Sequence, residues 1–215
     1  MTDQILKQRV LDELSWEPSV NACHIGVTAR DGVIKLTGQV ESYAEKWAVE
    51  RSVGRVTGVR AVAEEIEVRQ SPNPPDGDED LAKRALQVLS WNVLVPRDKV
   101  RVKVEKGWVT LIGDVNWFFQ KNDAESAVRN LHGVTGVSNH ITLKPSAAAS
   151  DVRAKITTAL GRNAEIEAAN ITVDTDGAKV TLSGQVESLH ERELSARTAW
   201  SAPGVTQVEN LLTVA

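Results

Sequence analysis

Leu36-Thr37-Gly38-Gln39-Val40, Leu111-Ile112-Gly113-Asp114-Val115 and Leu182-Ser183-Gly184-Gln185-Val186 are three copies of one segment. Gly113 follows Gly38 by 75 positions, and Gly184 follows Gly113 by 71. The same offsets align Ile25/Val100/Ile171, Val27/Val102/Val173, Gly58/Gly133/Gly204 and Ile66/Ile141/Leu212 without a gap. An internal repeat of this length decides the fold before any local reading does. It also supplies a comparison inside one chain. Positions that the copies share report the fold, and positions where one copy departs are candidates for function.

Each copy opens with a helix. Ile5, Leu6, Val10, Leu11 and Leu14 recur at helical spacing after the cap candidates Thr2 and Asp3. Leu81, Ala85, Leu86 and Leu89 repeat this in the second copy, and Val152, Ile156, Ala159 and Leu160 in the third. An alternating run follows, with Ile25 and Val27 set against Gly26 and Thr28, the mark of a half-buried strand. Asp31-Gly32, Lys106-Gly107 and Asp176-Gly177 supply hairpin turns. The return strand buries Ile34, Leu36 and Val40. A second helix starts at Ser42-Tyr43-Ala44-Glu45 and Ser188-Leu189-His190-Glu191, both capping boxes, and ends near Gly58, Gly133 and Gly204. A last strand carries Val62, Ile66 and Val68.

The expected fold is therefore α+β: three tandem helix–strand–strand–helix–strand units. Each is a three-stranded mixed sheet covered on one face by two helices. The expected boundaries are 1–70, 81–144 and 151–215, with a Pro-rich acidic linker at 71–80 and a shorter linker at 145–150. Gly38, Gly113 and Gly184 are read as structural, marking a close approach or bulge on the return strand.

The spacing Gly–Val-x-Leu-x-Gly-x-Val runs from Gly32 to Val40 and from Gly107 to Val115, and its later part from Val180 to Val186. Gly-Val-x-x-Val closes each second helix at Gly58-Val59/Val62, Gly133-Val134/Val137 and Gly204-Val205/Val208. With this pattern each copy resembles the BON domain of bacterial osmotically inducible and nodulation-type proteins. The resemblance implies a non-enzymatic stress-response module. Its expected partners are anionic phospholipid, other envelope proteins or, in some cytoplasmic members, potassium ion. Many relatives are exported or lipid-anchored and carry two copies; this chain carries three.

Composition sets limits. With 41% hydrophobic and 25% charged residues and a net charge of −4, the chain is an ordinary globular one, not built as a whole to coat nucleic acid or an anionic membrane. Met1 to Lys7 lack a basic segment followed by an apolar run, and no apolar stretch nears the ~20 residues of a membrane span. The expected location is cytoplasmic, with peripheral contact at the inner membrane. His24, His132, His140 and His190 show no metal-ligand spacing, Cys23-His24 reads as a loop pair, and no nucleophile or phosphate-loop motif occurs. No catalytic residue, cofactor or metal is expected.

The middle copy departs from its sisters in charge. From Leu81 to Pro145 it carries ten Lys/Arg and five Asp/Glu, a surplus of five inside an acidic chain. Arg101 and Lys103 stand where the sisters have Gly26/Thr28 and Thr172/Asp174, and Trp108 stands where they have Val33 and Lys179. Two readings remain open: an anion- or lipid-binding sheet face with Trp108 as aromatic anchor, or a face packed on a neighbouring unit. The acids Asp78, Glu79 and Asp80 weigh against lipid contact at the start of the first helix.

The second departure is Trp117-Phe118-Phe119, opposite the two capping boxes. Phe118 aligns with Tyr43 and Leu189 and reads as core. Phe119 aligns with Ala44 and His190, and with Trp117 it forms a candidate apolar contact. Trp47 and Trp200 read as packing residues between units, and Trp16 and Trp91 as structural. The alternatives to lipid association are a protein-binding or self-associating scaffold acting through exposed tryptophans, and potassium sensing. Single-stranded nucleic acid on the basic face is disfavoured.

Overall fold

The computed structural model describes residues 2–69, 77–144 and 151–215. The first repeat contains α1 (Asp3–Trp16), β1 (Ile25–Arg30), β2 (Val33–Val40), α2 (Tyr43–Arg55) and β3 (Ala61–Val68). The second contains α3 (Asp78–Trp91), β4 (Val100–Glu105), β5 (Trp108–Val115), α4 (Phe118–Arg129) and β6 (Gly136–Leu143). The third contains α5 (Val152–Gly161), β7 (Ile171–Asp176), β8 (Lys179–Val186), α6 (Leu189–Trp200) and β9 (Gln207–Val214). Each repeat folds its own sheet, in the order β1-β2-β3, β4-β5-β6 and β7-β8-β9. The hairpin pair is antiparallel in all three. The last strand pairs parallel to the central one in β5–β6 and β8–β9.

The first helices bury a stripe at every fourth residue: Leu6, Val10, Leu14; Leu81, Ala85, Leu89; Val152, Ile156, Leu160. Ile5 and Leu86, expected on that stripe, are exposed, because the seam against the sheet is one residue wide. In the middle repeat the stripe meets Val109, Leu111, Val115, Ala124, Val128, Val134 and Ile141 in one core. The strands alternate, with Val109, Leu111 and Val115 inward and Trp108 and Ile112 outward. Helices cover one face, and the other is open.

Two expectations need correction. The third hairpin turns at Gly177-Ala178, not Asp176-Gly177, since Asp176 is the last residue of β7 and pairs with Lys179. Asp31-Gly32 and Lys106-Gly107 take positive φ at both positions, whereas here only Gly177 does, so glycine has moved to the first turn position. Asp78, Glu79 and Asp80 form the first turn of α3 and are not linker. The remainder of the 71–80 linker, up to Asp76, and the 145–150 linker lie outside the described residues.

The repeated glycines each lie against a backbone carbonyl. A Cβ at Gly38, Gly113 or Gly184 would collide with the carbonyl oxygen of His24, Lys99 or Asn170 on the chain entering the first strand. Glycine lets the return strand lie against that carbonyl.

Candidate functional site

The hairpin register fixes which residues share the open face of the middle sheet. Arg101 pairs with Ile112, and Ile112 with His140. One row along, Lys103 pairs with Thr110, and Thr110 with Ser138. The last row is Glu105, Trp108 and Gly136. Arg101, Lys103, Ile112, His140 and Trp108 are exposed, Trp108 at 49%.

Trp108 is held flat. A Cβ at Gly136 would overlap its six-membered ring, so the indole lies across the backbone of β6. Its Nε1–H donates to the Ser138 hydroxyl at 2.9 Å. The glycine that leaves room and the serine that accepts fix one orientation of a large aromatic group. Trp108 also lines a groove of about 510 Å³ with Gln39, Glu67, Val68, Arg69 and Thr135. Trp108 is half-exposed, and the tail of the first repeat stands beside it.

The charges of the middle repeat are less free than their count suggests. Lys103 Nζ lies 3.0 Å from Glu105 on its own strand. Lys144 pairs with Asp114 at 2.8 Å and holds that carboxyl below its ordinary range. Glu79 and Asp80 pair with Lys83 at 2.7 and 3.6 Å, which raises the lysine. Burial pushes the Lys121 ammonium down, against the pull of Glu125. Arg97, Lys99 and Arg101 are exposed and form no ion pair among the described residues. Arg101 is therefore the uncompensated cation of the sheet face. Ile112 and His140 share its row on the open face, which the charge count does not single out; alternation along β5 and β6 is the signal.

The acids that weighed against lipid contact are engaged internally. Asp78 accepts from the backbone N–H of Lys106 at 2.7 Å and of Gly107 at 2.9 Å, tying the start of α3 to the β4–β5 hairpin.

Trp117 and Phe119 are exposed at 42% and 47%, at the start of α4, and Phe118 is half-buried. Half of the capping box survives among these aromatics: Gln120 Oε1 accepts from the N–H of Asn116 at 3.0 Å and of Trp117 at 3.1 Å. The sister helices keep both halves, as in Glu191 N to Ser188 Oγ at 3.1 Å and Glu187 N to Glu191 Oε2 at 2.8 Å. Gln39–Trp47 and Glu67–Arg69 share a compact unit with the middle repeat, and there Trp47 lies under the Arg129 guanidinium, 3.9 Å from the ring centroid. That is packing, as expected. Trp200 packs against the core of its own repeat instead. Trp16 and Trp91 are not structural in the sense expected: they are 85% and 71% exposed at the ends of α1 and α3. No group of His, Cys, Asp and Glu able to hold a metal ion occurs among the described residues.

The BON domain family model matches three times, at residues 2–70, 77–145 and 148–215. The chain belongs to the BON domain family. Osmotically-inducible protein Y of Escherichia coli (strain K12) is 27% identical over 148 residues, 67% of this chain and 74% of that protein. Two solved structures of CdsD, a structural protein of the type III secretion system of Chlamydia trachomatis, align over all of this chain, with 14% and 16% identity. They cover 100% and 93% of those chains, with TM-scores of 0.28 and 0.27, too low to carry an argument. Among the described residues no helix is long and apolar enough to cross a membrane.

Proposed function

We propose that this three-BON chain is a non-enzymatic binding protein of osmotic or envelope stress whose middle repeat associates peripherally with anionic phospholipid. The observation that carries the reading is the row Arg101–Ile112–His140 beside a Trp108 held flat. An unpaired guanidinium recognises a phosphate through its fork of donors, and an exposed apolar side chain beside it favours a lipid surface over a free anion. The sister faces offer no such row. The first carries Lys35 paired with Glu65 at 2.9 Å, and the third carries Asp174 and Lys179, the latter paired with Glu209 at 2.7 Å. Each cation near an anionic leaflet contributes ~1 kcal/mol, fading within a Debye length, so the association is reversible and salt-sensitive. The relation to an osmotically inducible protein supports the stress setting.

Co-sedimentation with vesicles of phosphatidylglycerol, against vesicles of phosphatidylcholine alone, at low and high salt, tests this. Binding to the anionic vesicles that weakens with salt supports it. Equal binding to both lipids, or none to either, rejects it.

A further inference from the structure

The bonds from Asp78 to the hairpin place the start of α3 beside Trp108. The end of α3, the loop into β4, the end of β5 and the start of α4 therefore gather at the opposite end of the repeat. In the third repeat two residues of that end touch: Glu165 Oε2 lies 3.0 Å from His190 Nε2. The offset of 71 maps them onto Leu94 and Phe119, and the offset of 75 takes those to Ser19 and Ala44. One place in the fold is thus small in the first repeat, polar in the third and apolar in the middle one.

The middle repeat adds to this pair. Val93 is 95% exposed beside Leu94, and Trp91 and Trp117 are exposed around them. The exposure is built, not slack. Asn92 Oδ1 accepts from Leu94 N–H at 2.9 Å, Asn92 O accepts from Val95 N–H at 3.1 Å, and Val95 is buried in the core. The loop is pinned on both sides of its apolar tip.

We propose that this end, formed by Trp91, Val93, Leu94 and Phe119, inserts shallowly into the interface of an anionic bilayer, with Arg97 and Lys99 on headgroup phosphates. This rests on the phospholipid reading above and names the part that enters the membrane. Three features favour a bilayer over a protein. The tip is convex, with Val93 almost wholly in solvent, which suits a deformable medium. Its flanks carry the exposed cations Arg97 and Lys99, with Asp98 between them and Asp114, whose carboxyl Lys99 helps to hold low, close by. Lys99 also leads straight into β4, so the cations run on from the tip to Arg101 on the sheet face. Tryptophan beside aliphatic side chains and basic residues is the composition that settles at a membrane–water boundary.

The full chain is tested on vesicles of equal phosphatidylglycerol and phosphatidylcholine, with bromine near the top of the acyl chains. Leu94→Glu with Phe119→His installs the third repeat's pair on a backbone that already accommodates it. Val93→Ser changes a side chain that packs on almost nothing. Wild type should bind with tryptophan quenching that falls when Trp91 is replaced by Phe. Both variants should keep their melting temperature, and the double variant should bind about tenfold more weakly or worse. If Arg101→Glu binds normally while these variants do not, the sheet-face reading fails and the inserting end stands. Wild-type binding without quenching, or both variants binding like wild type, overturns the insertion and leaves the phospholipid reading intact. A double variant that loses self-association in sedimentation velocity while still binding vesicles also overturns it, in favour of a contact between copies. Absence of wild-type binding at low salt overturns both.

Discussion

The indole Nε1–H of Trp108 donates to Ser138 Oγ across the β5–β6 pair, and the ring rests where Gly136 has no side chain. The φ of Gly136 is not positive, so its backbone suits an L-residue and only the space is special. Gly136→Ala should therefore lift the indole while the strand remains. The expected result is a red-shifted tryptophan emission, a modest loss of stability and several-fold weaker binding to anionic vesicles. Unchanged emission would show that the ring is not held by this contact.

Gly113 faces a different constraint. A side chain there meets the Lys99 carbonyl, which belongs to the backbone and cannot swing away. Gly113→Val should cost about 1–3 kcal/mol or more, read as a drop in thermal midpoint of roughly 4–8 °C per kcal/mol in a unit of this size. Loss of binding at an unchanged midpoint would make the glycine functional instead.

Phe119 should behave as a surface residue. Burying a phenylalanine fully is worth ~1.5–3 kcal/mol, but nearly half of this side chain is in solvent and its sisters are Ala44 and His190. Phe119→Ser should change stability by about 0.5 kcal/mol or less, as surface substitutions do. A large fall in midpoint would return it to the core.

Glu17 supplies a pH-dependent prediction in the first repeat. The Ser19 hydroxyl donates to it at 2.8 Å and Arg55 Nη2 at 3.3 Å. The serine first, then the arginine, hold its carboxyl below the ordinary range. A depressed folded value contributes stability above the unfolded carboxylate pKa, and this is lost as pH falls through the folded one. Glu17→Gln should destabilise by about 1 kcal/mol or less at neutral pH, because the pair is partly exposed. The difference should vanish in acid. A deficit that persists there would locate the effect in packing.

Much of this molecule is legible in the repeat. The shared glycines mark the close approach, and the alternation of Val100 and Val102 with Arg101 and Lys103 places the cations outside. Two of the misses share one cause: the third copy carries what the first two do not show. Trp16 and Trp91 support each other as structural until the third repeat is added, where the same position is Arg162. A place that accepts arginine is not core. The same alignment puts Gly177 opposite Asp31 and Lys106, and so puts the third turn one residue later. Lys103 counts toward the surplus of cations, yet Glu105 stands two residues along the same strand, on the same face, and pairs with it. Residues alternate sides, so that pairing follows from spacing alone. The groove beside Trp108 brings together residues far apart in sequence, and no local pattern announces it.

The most direct test of the central claim is vesicle binding by Arg101→Glu with Lys103→Glu. Its control is Thr28→Glu with Thr172→Glu, which places the same charges at the equivalent positions of the sister sheets. All four sites are exposed, so both proteins should fold with unchanged midpoints. Reversing two cations should weaken binding to phosphatidylglycerol vesicles at low salt by about 100-fold or more, while the control stays within a few-fold of wild type. Binding of the Arg101/Lys103 variant equal to wild type, or an equal loss in both proteins, would contradict a phospholipid site on the open face of the middle sheet.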